Sequence, residues 1–310
     1  MDADDYLGHP KLRIAHVNNT AGIASILCRH QRVFGNQADV FVFNKYLHRQ
    51  FGGERVSYYS PVSRWKFFKK LKEYDVWHYH YPYGSLKRAL EKRKEDRAYL
   101  KHYHGDDLRE KYDSDFCLVS TPDLLEFAPN GEWFPTPLDL ENLDYSPANF
   151  DSLNSSTKPI VAHYPHYRLY QKYRDLYSST LQQLQKEGKC EIVTIFDIPR
   201  NMVLSALSSC DLVVGKILPQ IGWFGKFELE AMAIGKPVIA YVSSELFQRY
   251  DPPIYRTTKD TFKRDLEYLL SDTEEQRKLA KRGRLYVEKY HSASTLIKQL
   301  NQAYSRSQQQ

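Results

Sequence analysis

The stretch Gly222-Trp-Phe-Gly-Lys-Phe-Glu-Leu-Glu-Ala-Met-Ala-Ile-Gly-Lys-Pro-Val-Ile-Ala240 decides the fold. Gly222 and Gly225 precede a run of good helix formers, and Gly235 followed by Pro237 predicts where that helix ends. The apolar residues after Pro237 predict a short buried strand. A glycine-rich turn, a helix and a buried strand in this order are typical of parallel α/β sheets, in which helix N-termini receive ligands.

Strands and helices alternate on both sides of this stretch. In the first half, residues 11–17 predict a strand, followed by a glycine loop, a helix ending near Gly35 and a second strand at 38–43. Further strands are predicted in both halves, at 74–80, 116–120, 160–164, 191–196 and 211–214. Between the halves, residues 133–159 are rich in Pro, Asn, Ser and Asp, which is typical of an interdomain linker.

The repeated alternation predicts an α/β protein of two facing, Rossmann-like, doubly wound domains with the ligand cleft between them. We expect the first domain at residues 1–145 and the second at 146–290. Residues 273–304 predict a helical tail, so residues 291–310 would form a C-terminal helix and a polar end that can pack back on the first domain.

The composition excludes several classes of protein. Hydrophobic residues make up 42% of the chain, which is enough for buried cores. The start is acidic and no apolar run approaches the roughly 18 residues of a membrane span, so a cytoplasmic protein is the default expectation. The four cysteines have no metal-ligand spacing and are predicted to be reduced and buried.

Charge is unevenly distributed within a net charge of +6. Residues 50–101 contain 13 Lys or Arg against 6 Asp or Glu, which favours polyanions or an anionic lipid surface. Residues 64–72 mix cations with large apolar side chains and would suit peripheral contact with the inner membrane face. The alternative is a helix packed on the sheet with solvated lysines. No nucleic-acid-binding motif accompanies the charge, so no nucleic acid partner is expected.

Three loops after predicted strands carry candidate binding residues. Gly22 would let a ligand approach the first helix, although a tight turn also explains this glycine; the dinucleotide fingerprint is absent. Arg168 and Lys172 are four residues apart and could clamp a diphosphate or form a solvated helix face. Glu228 and Glu230 lie near a helix start and point to different faces, so one of them is expected to bind ribose hydroxyls.

The stretch 222–240 also resembles the hallmark of retaining glycosyltransferases of the GT-B fold, particularly glycosyltransferase family 4. That pattern runs Glu, seven residues, then Glu-Ala-Met-Ala-x-Gly-x-Pro-Val, and residues 230–238 match its second part position by position. His163-x-Pro with Arg168 and Lys172 resembles the family's phosphate-binding pair. Tyr103-His104-Gly105-Asp106 resembles a loop whose histidine approaches the donor sugar.

The resemblance implies a transferase that moves a sugar from a nucleotide-diphosphate sugar to a glycan or lipid-linked acceptor. Residues 1–145 would hold the acceptor and residues 146–290 the donor, with no metal and no cofactor beyond the donor itself. The implied catalytic residues are His104, Arg168 and Lys172. The implied donor-binding residues are Gly22, Gly222, Trp223, Phe224, Gly225, Lys226 and Glu230.

One position departs from the family pattern. Gly222 stands where the family has its first glutamate, which touches the transferred sugar, and Trp223 or Lys226 could take over its role. The departure keeps two alternatives open: a non-catalytic nucleotide-sugar-binding protein, and a nucleotide-sugar epimerase of the same fold.

Overall fold

A computed structural model describes residues 11–43, 51–57, 59–82, 84–147, 158–165, 177–196 and 198–309. The chain divides into two compact units, Met1–Leu138 with His291–Gln310, and Asp139–Tyr290. The first unit therefore ends at Leu138 rather than at residue 145. Residues 291–310 belong to the first unit.

The described part of the first unit contains a parallel sheet of seven strands in the order β3-β2-β1-β4-β5-β6-β7. This is the alternation that the sequence predicts, and the order reverses at β1 and β4 as in doubly wound folds. The strands are β1 (Arg13–Val17), β2 (Gln37–Val42), β3 (Glu54–Arg55), β4 (Val76–His80), β5 (Ala98–Tyr103), β6 (Cys117–Val119) and β7 (Gly131–Trp133).

Four helices accompany this sheet among the described residues: α1 (Ile23–Val33), α2 (Pro61–Leu71), α3 (Gly84–Glu91) and α10 (Ala293–Ser307). One face of the sheet packs against α1 and α10, with Leu27 and Leu300 fully buried in that core. The other face packs against α2 and α3. Short 3-10 helices lie at Thr20–Gly22 and Pro122–Phe127.

The second unit has a parallel sheet of five strands in the order β12-β11-β10-β8-β9, again among the described residues. Its strands are β8 (Ile160–His163), β9 (Glu191–Thr194), β10 (Leu212–Val214), β11 (Val238–Ala240) and β12 (Tyr255–Arg256). Its helices are α4 (Ser178–Lys186), α5 (Arg200–Ser209), α6 (Lys226–Ile234), α7 (Ser244–Tyr250), α8 (Phe262–Ser271) and α9 (Thr273–Tyr290); a 3-10 turn lies at Leu140–Asn142.

The tail predicted as one helical stretch is two helices, α9 and α10, interrupted at His291 and Ser292. The interruption has a backbone cause, because Leu138 N donates to His291 O at 2.7 Å and Ala293 N donates to Leu138 O at 3.1 Å. These bonds take up groups that a continuous helix would use internally.

Two predictions from composition can be compared with the fold. All four cysteines are free and buried, as predicted. Among the helices that the structure describes, none combines the length and apolarity needed to cross a bilayer.

Candidate functional site

The second sheet has its topological switch point between β8 and β10. The chain leaves β8 toward β9 on one side and later returns to place β10 on the other side. Loops that follow two such strands diverge, and the crevice they leave at the carboxyl ends is where ligands bind in open α/β sheets. His163 ends β8, Gly215 and Lys216 follow β10, and Gly225 precedes α6.

Glu228 joins the two ends of the loop between β10 and α6. Its Oε1 accepts a hydrogen bond from Lys216 N at 2.7 Å, and its Oε2 accepts one from Gly225 N at 2.9 Å. Any side chain at position 215 would collide with it, because a Cβ there would lie 2.5 Å from Glu228 Cγ. Glu228 is therefore a fully buried structural carboxylate with both oxygens engaged.

Glu230 lies two residues after Glu228 on α6 and has different partners. Only 3% of the residue is exposed. Arg200 Nη1 donates to Glu230 Oε2 at 2.5 Å, and Lys226 Nζ lies 3.7 Å from Oε1. Oε1 accepts no hydrogen bond from any residue that the structure describes. A buried acceptor without a donor is costly, so this oxygen is suited to receive a ligand's hydroxyl group.

Arg200, Lys226 and Glu230, which we call the Glu230 cluster, carry two cations for one carboxylate. Burial lowers the pKa of Lys226 to about 8; Glu230 opposes this shift, and the Arg200 charge adds to it. Lys226 is also the first residue of α6, where the free N–H groups and the helix dipole favour anions. The cluster can therefore bind a polar ligand that has both hydroxyl and anionic groups.

The backbone conformation at position 222 favours glycine. Its φ is +71°, in the left-handed region, and a Cβ would lie 3.3 Å from Ser243 Cβ. Gly222 N donates to Leu218 O at 3.1 Å, and Ser243 N donates to Gly222 O at 3.0 Å. Because side chains disfavour this conformation, a glutamate at this position would be strained.

Trp223 and Phe224 form part of the second unit's interior. Both are buried, and their rings stack with centroids 4.4 Å apart. The Trp223 ring also meets Tyr250 edge-on at 5.7 Å. Donor contact at these two positions would therefore come from the backbone, and the packing gives no support to a Trp223 side chain that replaces the missing glutamate.

Two of the predicted catalytic residues, Arg168 and Lys172, lie outside the described residues. The diphosphate clamp assigned to them stays a prediction.

In the first unit, Gly22 has a local structural explanation. It precedes α1 with φ +78°, and a Cβ there would lie 2.7 Å from the Phe51 ring. Asn19 Nδ2 donates to Phe51 O at 3.2 Å, and Ser25 Oγ donates to the same oxygen at 2.5 Å. The tight-turn alternative accounts for this glycine, and its donor-binding role stays a prediction.

His104 follows β5 and is tied into the first unit through both of its ring nitrogens. Nε2 is 3.1 Å from His80 Nδ1, and Nδ1 is 2.6 Å from Ser120 Oγ. Contact with a donor sugar through a ring nitrogen would require one of these bonds to be exchanged. This contact also stays a prediction.

Sequence reasoning missed Arg200 and Lys216. Arg200 starts α5 immediately after Pro199, and Lys216 follows β10 by two residues, so both stand at positions where α/β sheets bind ligands. An ideal Cβ on Gly225 would lie 2.6 Å from Lys216 Nζ, which brings this cation to the start of α6. The positional signal was present, but no motif marked either residue.

A family model of known proteins covers the part of the chain that contains the Glu230 cluster. Residues 199–302, about a third of the chain, match a family model described as "Glycosyl transferase-like". This segment contains the whole Glu230 cluster. No curated protein sequence matches the chain.

Solved structures resemble the chain over nearly its full length. Sucrose-phosphate synthase from Thermosynechococcus elongatus is 15% identical, with a TM-score of 0.63 over 96% of this chain and 99% of that one. A putative UDP-N-acetylglucosamine 2-epimerase from Listeria monocytogenes is 10% identical, with a TM-score of 0.54 over 94% and 95%. MurG from Acinetobacter baumannii is 11% identical, with a TM-score of 0.51 over 94% and 100%. The chain therefore has the α/β fold of GT-B glycosyltransferases, with one parallel sheet in each unit.

Proposed function

We propose that this chain is a nucleotide-sugar-dependent glycosyltransferase of the retaining, family 4-like kind, whose donor binds at the Glu230 cluster. The observation that carries the proposal is the buried Glu230 Oε1, which lacks a hydrogen bond among the described residues and stands beside Lys226. The match of residues 199–302 to a glycosyltransferase-like model supports it.

In this proposal Glu230 Oε1 accepts hydrogen bonds from the ribose hydroxyls, while Arg200 keeps the carboxylate in place through Oε2. The N-terminus of α6 and Lys226 face the diphosphate. Negative charge grows on the departing phosphate oxygen during transfer, so cations and N–H groups already in position lower the barrier. Arg168 and Lys172 would add two cations to the same oxygens.

The first test is a thermal-shift screen of nucleoside diphosphates and their sugars, because a ligand that binds only the folded protein raises its melting temperature. We expect a selective rise with one base. The responding donor is then incubated with candidate acceptors, and the anomeric configuration of the product is determined by NMR. A retained configuration supports the proposal, whereas absence of any shift contradicts the donor site.

Two other outcomes correspond to other functions. Isomerisation of the donor sugar without an acceptor would identify an epimerase, the activity for which the Listeria neighbour is named. Tight donor binding with no turnover on any acceptor would identify a non-catalytic nucleotide-sugar-binding protein. The glycine at position 222, with its left-handed backbone, is the feature that favours this second outcome.

We further propose that α2 contacts an anionic membrane and presents the enzyme to a lipid-linked acceptor. The helix packs on the sheet through Phe67 and Leu71, so the packed-helix alternative accounts for one face. On the other face Trp65 is 62% exposed, and Lys69 Nζ lies 5.4 Å from its ring centroid. An exposed aromatic ring next to cations suits the interface of an anionic bilayer.

Charge reversal tests this contact. The double variant Lys66→Glu, Lys69→Glu is expected to sediment less with anionic liposomes than the wild type. The matched control is Lys278→Glu, Lys281→Glu on α9, which makes the same change in net charge at exposed positions. Equal sedimentation of both variants and the wild type would contradict the membrane proposal.

A further inference from the structure

The centre of the first unit contains five histidines on one face of the sheet. His78 and His80 alternate along β4, and His102 and His104 alternate from β5, so each pair points to the same side. In the parallel register His16 of β1 lies opposite His78, and His80 lies opposite His102. This is the face that α1 and α10 cover.

These histidines are joined to three other side chains in a closed series of hydrogen bonds. The additional members are Gln31 of α1, Tyr304 of α10 and Ser120 after β6. The eight contacts in order are Gln31 Nε2–Tyr304 Oη 2.9 Å, Tyr304 Oη–His78 Nδ1 2.9 Å, His78 Nε2–His102 Nδ1 3.2 Å, His102 Nε2–Ser120 Oγ 3.0 Å, Ser120 Oγ–His104 Nδ1 2.6 Å, His104 Nε2–His80 Nδ1 3.1 Å, His80 Nε2–His16 Nδ1 3.0 Å and His16 Nε2–Gln31 Oε1 2.7 Å. We call these eight side chains the hydrogen-bond circuit.

The hydrogens of the circuit match its bonds. Five neutral imidazoles supply one N–H each, Ser120 and Tyr304 supply one O–H each, and Gln31 supplies one amide N–H, so eight hydrogens serve eight bonds. Since Gln31 Nε2 donates to Tyr304 and Gln31 Oε1 accepts from His16, every other bond must run in the same direction. Each imidazole then donates through Nε2 and accepts through Nδ1.

We propose that the hydrogen-bond circuit is a neutral, one-directional latch that fixes all five histidines as Nε2–H tautomers and fastens α1 and α10 to the first sheet. Gln31 sets its direction because an amide has a distinct donor end and acceptor end. One additional proton would give nine hydrogens for eight bonds and set two N–H groups against each other, so protonation opens the latch.

Among the described residues, the charged groups near the circuit are paired with each other or lie at its edge. Arg32 of α1 and Asp39 of β2 are the charged groups that act on His16, and they pair with each other at 2.9 Å. Cys28 of α1 faces Tyr304, and burial raises the pKa of its thiol to about 11, so it is uncharged. Asp107 accepts from His104 N, at the edge of the circuit.

Burial lowers the pKa values of the imidazoles and so also disfavours their charged forms. It lowers the pKa of His16 to about 4 and holds the pKa values of His78, His80 and His102 well below their usual range. These four histidines are therefore neutral at pH 7, as the hydrogen count requires.

A metal site is the competing interpretation of this cluster. The sets His16, His78, His80 and His80, His102, His104 each bring ligand nitrogens within 4.8 Å of one another. However, every ring nitrogen of these histidines already takes part in a bond of the circuit, and a metal ion would need lone pairs that now accept hydrogens. Because each bond of the circuit has its hydrogen, the hydrogen count favours the hydrogen-bond circuit over a metal site.

The direct test is nitrogen-15 NMR of the imidazoles in the full-length protein at pH 7, which distinguishes the tautomers. The five resonance pairs are assigned by single substitutions, and we expect all five to be neutral and of the Nε2–H form. A mixture of Nε2–H and Nδ1–H forms, or an imidazolium ion, would overturn the proposal. Addition of Zn²⁺ should leave these resonances unchanged; a stoichiometric shift of three of them would establish a metal site instead.

A second test removes one hydrogen from the circuit. In Gln31→Glu a carboxylate that only accepts leaves seven hydrogens for eight bonds, so the folded protein should take up one proton. Above pH 7 the unfolded chain does not bind this proton, so the melting temperature of the variant relative to that of the wild type should rise as pH falls from 8 to 7, before the histidines of the unfolded chain titrate. The control is Gln302→Glu, the same change at an exposed position of α10. Equal pH profiles for the two variants would refute the one-directional count.

Discussion

The two units each contain a buried polar cluster, and the clusters differ in whether their hydrogen bonds close. In the first unit the hydrogen-bond circuit is uncharged, and each of its ten imidazole nitrogens, two per histidine, has a partner within it. In the second unit the Glu230 cluster is charged, and Glu230 Oε1 has no hydrogen bond among the described residues.

This difference separates a structural network from a binding site. A buried network whose donors and acceptors match holds its elements rigidly and offers a ligand no unpaired group. A buried carboxylate oxygen without a donor, set beside two cations at a helix start, leaves a specific capacity for hydroxyl and phosphate groups. Histidine clusters attract functional interpretation, yet here the smaller cluster of the second unit is the better candidate.

The largest expected effect is on nucleotide affinity and comes from removing the negative charge of the Glu230 cluster. Glu230→Gln replaces an anionic acceptor with a neutral amide, and hydrogen bonds to charged groups contribute about 1.5–3 kcal/mol. We therefore expect the affinity for the responding nucleoside diphosphate to fall tenfold or more, measured by isothermal titration calorimetry.

Two further variants frame this measurement. Glu274→Gln makes the same chemical change at an exposed position of α9 and should leave the affinity unchanged. Arg200→Gln removes the partner of Glu230 Oε2 but leaves the carboxylate, so this variant should lose less nucleotide affinity than Glu230→Gln. If Glu230→Gln binds the nucleotide as tightly as the wild type, the assignment of the Glu230 cluster as the donor site is wrong.

The next effect breaks the closed network. Tyr304→Phe leaves the Gln31 amide without its acceptor and His78 Nδ1 without its donor, both in the interior. Unsatisfied buried groups cost about 1–3 kcal/mol, so the free energy of unfolding should fall by about that amount in denaturant titrations. Tyr290→Phe, at a ring that is 38% exposed, is the matched control. A loss no larger than the control's would show that the circuit does not hold α10.

The smallest expected effect, counted for each histidine separately, is the change of the free energy of unfolding with pH. The four circuit histidines with lowered pKa, together with His291 at about 4, bind protons in the unfolded chain near pH 6.5 but not in the folded one. Their contribution to stability is present above pH 6.5 and is lost as pH falls toward 4. Asp107, whose pKa burial raises to about 6, acts in the opposite direction but is one group against five.

Calorimetric scans between pH 7.5 and pH 4.5 would measure this loss. The responding nucleotide identifies the transition of the second unit, because its binding shifts that transition upward. We expect the other transition to move to lower temperature below pH 6.5. If it stayed constant down to pH 5, the histidines of the first unit would not be buried as neutral groups.

The sequence predicts the elements with strong hydrophobic periodicity. Strands predicted at 11–17, 74–80, 160–164 and 211–214 are present as β1, β4, β8 and β10, each shortened by one or two residues at its ends. Missed strands have identifiable causes. β5 contains Lys101, whose charge interrupts the apolar run but is paired with Asp113 inside the protein. β7 is only three residues long and ends at residue 133, where the stretch that reads as a linker begins.

The two clusters were predictable to different degrees. Glu230 stands in a local motif, so one stretch of sequence was enough to name it. The circuit depends on three strands, two helices and two loops that are up to 273 residues apart in the chain, as for Gln31 and Tyr304. The alternation of His78 with His80 and of His102 with His104 predicts a shared face for each pair, but only the register of the sheet brings the two pairs together.

The central claim is that Glu230 Oε1 receives the donor nucleotide. Its most direct test is a crystal structure of the protein with the nucleoside diphosphate that gives the largest thermal shift. We expect a ribose hydroxyl within hydrogen-bond distance of Glu230 Oε1 and the phosphates at the start of α6. A nucleotide bound elsewhere, or a ribose that makes no contact with Glu230, would contradict the claim.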